Sequence, residues 1–323
     1  MTSPTFRPLA IAASATIALL ALAGCSAPSA GGSTASGTTG ASSSDCTVEG
    51  KKVDQVASLR SQVPDSILST GHLKIATAGD GPPYTYKDGG RLTGLEVDLG
   101  RAIGCTLGLP ADFKTVAFAG ILTGIQGGRY DLGMSTISDT SEREKVMNFV
   151  SYQTEGTALV VAKGNPHNVK AIADACGLRV AVTQGGITQQ LVDKQNAQCS
   201  AKMTITPLPA AADGYLAIRS GRADVFLDTF GTAMFTSENG NGTGDQLEVV
   251  KGKRYGVGYQ AIALPKNADG TKLTKAIAAT VDHLIDTGVY GSLYKARGLE
   301  QNEMKKVAIN DAAQYESSFL DLG

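Results

Sequence analysis

The stretch MSTISDTSER, Met134–Arg143, sets small hydrogen-bonding side chains ahead of a single fixed cation. A guanidinium fork matches a carboxylate through two parallel hydrogen bonds, a geometry that lysine does not copy. Hydroxyls beside it satisfy the carboxylate's other lone pairs. Arg143 with Ser135, Thr136 and Ser138 is therefore a candidate carboxylate site. The same residues also suit a capped helix, with Ser138 or Thr140 as the cap and Arg143 on a solvated face. The segment by itself does not choose between the two.

Two later segments supply complementary groups. VTQGGITQQ, residues 182–190, reads as a strand, a glycine turn and a helix start, where exposed amides and the helix dipole favour an anion. A plain strand-to-helix turn is the favoured reading of this segment by itself. SGRADVFLD places Asp228 at the end of an apolar strand, where it either caps the next helix or holds a cation in a cleft. Anion-binding groups with one cation-binding carboxylate describe a site for a zwitterion such as the head of an amino acid.

Other chemistries find little footing. The three histidines, His72, His167 and His283, stand far apart, and there is no CxxC or metal-ligand spacing, so neither a metal nor a cofactor is expected. A net charge of −1 with 42% hydrophobic residues fits a soluble globular chain and gives nucleic acid no basic surface.

The elements that must position these groups begin after an export signal. Arg7 precedes a 16-residue apolar run ending at Gly24, too short for the ~20 residues of a membrane helix. Residues 1–24 are read as a signal peptide. LAGC, Leu22–Cys25, resembles the lipobox of bacterial lipoproteins, which implies a lipid on Cys25 and attachment to the outer side of the cell membrane. Ser26–Ser44 carries no charge and no large apolar residue, so residues 25–45 read as lipidated cysteine and tether. Asn241 opens a glycosylation sequon that the bacterial lipobox makes fortuitous. Four further cysteines in an exported chain suggest two disulfides with three possible pairings. The short loop favours Cys176–Cys199, leaving Cys46–Cys105.

Strands and helices then alternate. LKIAT, DFKTV and RYDLGMST are strands; GLEVDLGRAIGCTLGL and AGILTGIQGG are helices; EREKVMNFV is expected to open another helix. A second series runs from LRVAV to ADVFLD, and a strand near YQAIAL and two helices around 272–297 follow. Alternation implies α/β architecture with mainly parallel sheets and flanking helices. Two series with one tail predict two lobes: residues 46–163 and 258–323 in lobe one, 164–257 in lobe two. In open parallel sheets ligands sit beyond the carboxyl ends of strands, where the candidate groups fall.

From Leu73 to Leu299 the chain resembles the bacterial extracellular solute-binding proteins of the polar amino acid type, family 3. The segments PPYTYKDGGRLTGLEVDL, GILTGIQGGRYDLGMSTISDTSEREKVMNF, VTQGGITQQL and SGRADVFLD come in the family's order. The resemblance implies a two-lobe periplasmic-binding-protein-like fold of type II, with a hinge of two crossing segments. It implies capture of an amino acid or related zwitterion for an ABC permease in the membrane, by a chain expected to be monomeric. It places Arg143 on the ligand's carboxylate, Ser135, Thr136 and Ser138 at its head group, the amides of Gly186, Ile187 and Thr188 on the same carboxylate, and Asp228 on its ammonium. Phe118 aligns with an apolar pocket residue, although it also suits ordinary core. Many relatives carry a stacking aromatic where this chain has Gly81; Tyr84 is the expected substitute contact, Tyr86 a packed strand residue and Asp80 a turn acid. A cleft enzyme of the dehydratase type and a ligand-sensing module are the alternatives. The sequence offers no spare acid or base for the first and no output domain for the second.

Overall fold

A computed structural model describes residues 46–239, 246–252, 254–319 and 322. The expected signal peptide, Cys25, the expected tether and Asn241 lie outside them. Its centre is a nine-stranded mixed sheet. In one half, β3 (Leu73–Thr77) pairs in parallel with β6 (Ala111–Thr115) and β7 (Leu132–Ser138). In the other, β9 (Arg179–Thr183) pairs in parallel with β10 (Thr204–Leu208) and β11 (Val225–Thr229). Two long antiparallel strands join the halves: β8 (Met147–Ala162) and β13 (Tyr255–Pro265). The short β12 (Leu247–Val249) pairs with β8. Small antiparallel pairs, β1 (Thr47–Val48) with β2 (Lys51–Lys52) and β4 (Tyr86–Asp88) with β5 (Arg91–Thr93), stand apart.

Each parallel half needs helices on both faces, since its strands are buried on both sides. Lobe one is covered by α1 (Ala57–Arg60), α2 (Asp65–Leu68), α3 (Leu95–Leu107), α4 (Ile121–Gln126), α9 (Ala268–Asp286) and α10 (Val289–Lys295). The helix α3 turns Leu95, Leu99, Ala102 and Ile103 inward at helical spacing and ends on Gly108 in the left-handed conformation. The longer α9 starts where the Asn267 side chain accepts from the Gly270 amide at 2.7 Å. Its stripe Leu273, Ile277, Val281 and Leu284 packs on the same core. Lobe two is covered by α6 (Ile187–Gln198), α7 (Ala211–Arg219) and α8 (Phe230–Asn239). The tail returns to the first lobe: the amide of Ser151 donates to Ala308 O at 2.9 Å. It ends in α11 (Glu316–Phe319), where Ser318 Oγ donates to Val257 O. Both expected disulfides, Cys46–Cys105 and Cys176–Cys199, are present.

The structure corrects one element. The expected helix from Glu142 through Val150 is a single turn, α5 (Ser141–Glu144), and Met147 begins the 16-residue β8 instead. Met147 and Phe149 pack one face of this strand, Val150 and Tyr152 the other; beyond the crossing, Leu159 and Val161 oppose Ala158 and Val160. Burial on both faces removes the polar alternation that marks a strand. Core membership changes between Tyr152 and Ala158 in β8 and between Tyr255 and Ala261 in β13. The chain thus passes from one core to another inside these strands.

Candidate functional site

A pocket opens where the carboxyl ends of both parallel halves converge, enclosing about 590 Å³ with its open mouth included. Each wall is a set of loops leaving those ends, which is where open α/β sheets place ligands.

The first wall is the end of β7. Ser135, Thr136 and Ser138 line the pocket, and Arg143 joins them from α5. Both readings of this segment hold in part: Thr140 Oγ1 caps α5 by accepting from the Arg143 amide at 3.2 Å, yet Arg143 is buried rather than solvated. Its guanidinium donates from Nη1 to Ser138 O at 2.8 Å and from Nη2 to Gly185 O, in the opposite wall, at 3.0 Å. Burial lowers its pKa to about 10, partly opposed by nearby Asp139, so it remains cationic at neutral pH. Asp139 itself is fully buried behind this edge, its pKa pushed up to about 8 by burial and by Glu144.

The second wall is the turn from β9 into α6. Gly185 takes φ +75°, and Gly186 is the N-cap with no side-chain cap of its own. Gly186, Ile187 and Thr188 line the pocket. First-turn amides have no acceptor within their own helix, and α6 aims its positive end at the cavity. Thr188 Oγ1 is buried there without a hydrogen-bond partner.

Asp228 reaches the pocket from the end of β11. Side chains alternate along a strand, so it shares the face of Phe226 and meets α7: Oδ2 accepts from Tyr215 Oη at 2.7 Å and Oδ1 from the Thr229 amide at 2.8 Å. Burial raises its pKa to about 7 against the pull of those donors. Phe118, in the 3₁₀ turn Phe118–Gly120, lines the pocket and also packs on the core that holds Ile121 and Phe149.

Tyr84 is not in the pocket, contrary to the sequence expectation. The amides of Leu95 and Glu96 donate to Pro83 O and Tyr84 O, each at 3.0 Å, which stitches this turn to the start of α3. The Tyr84 ring is thereby driven into the lobe-one core, and its hydroxyl donates to Glu155. Its neighbour Thr85 lines the pocket instead, with Gly81. Asp80 is more than a turn acid: it lines the pocket and its Oδ2 accepts from the Ala211 amide at 2.6 Å, spanning to the first residue of α7 in lobe two. Burial raises its pKa, opposed by the Ala211 and Ala212 amides. Tyr86 meets Phe235 of α8 with ring centroids 5.8 Å apart. Thr232, four residues after Asp228 on α8, also lines the pocket; no motif marks it in the sequence. Phe118 is the aromatic among the described lining residues, so no second ring faces it across the cavity.

The profile of the bacterial extracellular solute-binding proteins, family 3, matches residues 73–297, and the chain belongs to that family. The arginine-binding protein ArgT of Corynebacterium glutamicum is 30% identical, over 80% of this chain and 84% of its own length. Among solved structures, an ancestral arginine-binding protein bound to arginine matches with a TM-score of 0.65 and 28% identity, over 70% of this chain and 98% of that one. An ancestral amino acid-binding protein, described as a precursor of cyclohexadienyl dehydratase, matches with a TM-score of 0.64 and 26% identity, over 72% and 98%.

Proposed function

We propose that this member of the extracellular solute-binding family is the capture subunit of an ABC importer and closes on an α-amino acid. The observation that carries the reading is the opposition across one cavity of Arg143 with its hydroxyl edge and the α6 start with Asp228. The α-carboxylate meets Arg143, Ser135, Thr136, Ser138 and the amides at Gly186, Ile187 and Thr188. The α-ammonium meets Asp228. A bridging ligand favours the closed arrangement because only closure offers both halves at once.

The lining also names a side-chain class. Two carboxyls, Asp80 and Asp228, stand against the one guanidinium of Arg143 among the described lining residues. A ligand with one net positive charge balances them, so a basic amino acid is the proposed cargo. The arginine of the relatives above belongs to that class. Phe118 supplies apolar contact along the ligand's stem. Both acids already accept protein donors, which suits a charge clamp rather than a proton-transfer residue, and the chain is proposed to be a binder and not an enzyme.

Delivery requires the outer face of the membrane. Residues 1–24 are proposed to be removed, with Cys25 carrying lipid and residues 26–45 as the tether of a monomeric receptor. Mass spectrometry of the membrane-extracted protein should find lipid on Cys25 as the first residue; cleavage elsewhere contradicts this. The ligand assignment is tested by thermal shift over L-amino acids, since a ligand that binds only the native state raises its melting point. L-Arginine or L-lysine should give the largest rise; no rise with any amino acid contradicts the reading.

A further inference from the structure

Thr136 lies inside β7 with φ +46°, the left-handed region that non-glycine residues rarely adopt. Such a conformation persists where the surroundings over-determine it. What holds it is Glu96: the Thr136 amide donates to Glu96 Oε1 at 2.7 Å. Tyr152, on the crossing strand β8, donates its hydroxyl to the same oxygen. Glu96 is fully buried in the first turn of α3, and its Oε2 has no hydrogen-bond partner. Both donors therefore converge on one oxygen.

The carboxyl is fixed from behind. Gly94, the N-cap of α3, takes φ +117°, and a Cβ there would sit 2.2 Å from Tyr84 O, so glycine alone fits this entry. The carbonyl of Tyr152 accepts from Tyr290 and Tyr294 hydroxyls at 2.6 and 2.8 Å, which holds β8 in place. On the pocket side, Ser135 Oγ accepts from the Ala78 amide at 3.1 Å. The kink at Thr136 thus sets how Ser135, Thr136 and Ser138 meet the cavity.

We propose that Glu96 is a positioning residue for ligand binding: from beneath the cleft it holds the Thr136 peptide in the turned conformation that shapes the hydroxyl edge beside Arg143. This rests on the reading of the cleft as an amino-acid site. Glu96 does not touch the ligand; it acts through Thr136 and, through Tyr152, ties the edge to a strand that crosses between the lobes.

The test combines two readouts on the full-length protein and its variants. In ligand-free protein at about pH 8, above the value of about 7 to which burial raises the Glu96 carboxyl, amide NMR reports Thr136 directly. In Glu96→Leu the Thr136 amide should lose exchange protection, and affinity for L-arginine should fall by roughly tenfold or more. Leu293→Ala, in the core away from the cleft, is the control: it should lower the melting point and leave affinity unchanged. Glu96→Gln keeps a carbonyl acceptor without charge; it should retain protection and affinity while the Thr136 amide proton moves upfield, and it carries the test if Glu96→Leu does not fold. A Thr136 amide still protected in Glu96→Leu overturns the proposal, as does an affinity loss in Glu96→Leu no larger than that of Leu293→Ala, or an unshifted Thr136 amide proton in Glu96→Gln. If the wild type binds no L-arginine, the cleft reading fails, and the Thr136 amide still decides whether Glu96 sets the edge.

Discussion

Nη2 of Arg143 rests 3.0 Å from the carbonyl oxygen of Gly185, so the cation of one lobe already touches the glycine turn of the other. A ligand carboxylate between them would exchange a neutral acceptor for a charged one and add a second, parallel bond to the fork. Lysine at 143 would keep the charge and lose the fork. Arg143→Lys and Arg143→Ala should each weaken amino-acid binding about 100-fold, equivalent to about 3 kcal/mol, by calorimetry. The ligand-free melting point should hardly change. Near wild-type affinity in the lysine variant would show that charge alone suffices.

Asp80→Asn separates charge from capping. The amide oxygen still accepts from Ala211 N, so closure keeps its bond across the cleft, while the negative charge is lost. L-Arginine should bind about tenfold more weakly or worse, and any L-glutamine binding should change little. Equal losses for both ligands would assign Asp80 to closure alone.

Asp228 gives binding and stability opposite pH trends. Its ligand-free pKa is near 7, and a cation needs the ionised form. Affinity for an amino acid should rise by up to about tenfold per pH unit toward 7 and then level off. For folding, the native state keeps this proton more tightly than the unfolded chain, whose value is 3.8. The stabilisation is complete below that value and is lost as pH rises through about 7. Asp228→Asn should flatten part of the fall in urea midpoint between about pH 4 and about pH 7. A variant with the wild-type slope would contradict the burial argument.

The Cys176–Cys199 bridge ties the segment before β9 to the end of α6, with a sequence separation of 23. Closing such a loop constrains the unfolded chain by about 3 kcal/mol. The double variant Cys176→Ser, Cys199→Ser should lose about that much in urea titration while binding its ligand at saturating concentration. Lost binding in a still-folded variant would mean that the bridge also shapes the α6 turn.

What was legible in the sequence was local. The α3 stripe is visible because each residue's partner lies one or two turns away. Arg143, Ser135, Gly186 and Asp228 were legible because strand ends and helix starts mark where a cleft must be. What stayed hidden depends on distant partners. The Asp80 carboxyl finds its donor 131 residues away, at the start of α7. Tyr84 has the composition of a pocket residue, and only its stitching to α3 sends it inward. Strand β8 lacked an alternating pattern because both faces are core and Gln153 and Glu155 are buried among them. Thr136 gave no sign of its left-handed backbone, since threonine is an unfavourable choice there and Glu96 compensates from another element.

Two lobes that grip the charged head of an amino acid must lose their hold when that head loses a charge. Calorimetric titration with the proteinogenic L-amino acids, followed by the amine left when the tightest ligand loses its α-carboxylate, tests it most directly. At least one basic amino acid should bind at micromolar affinity or tighter, about −8 kcal/mol or beyond, and its decarboxylated amine should not bind. An amine that binds as tightly as its parent amino acid, or a protein that binds no amino acid at all, would contradict it.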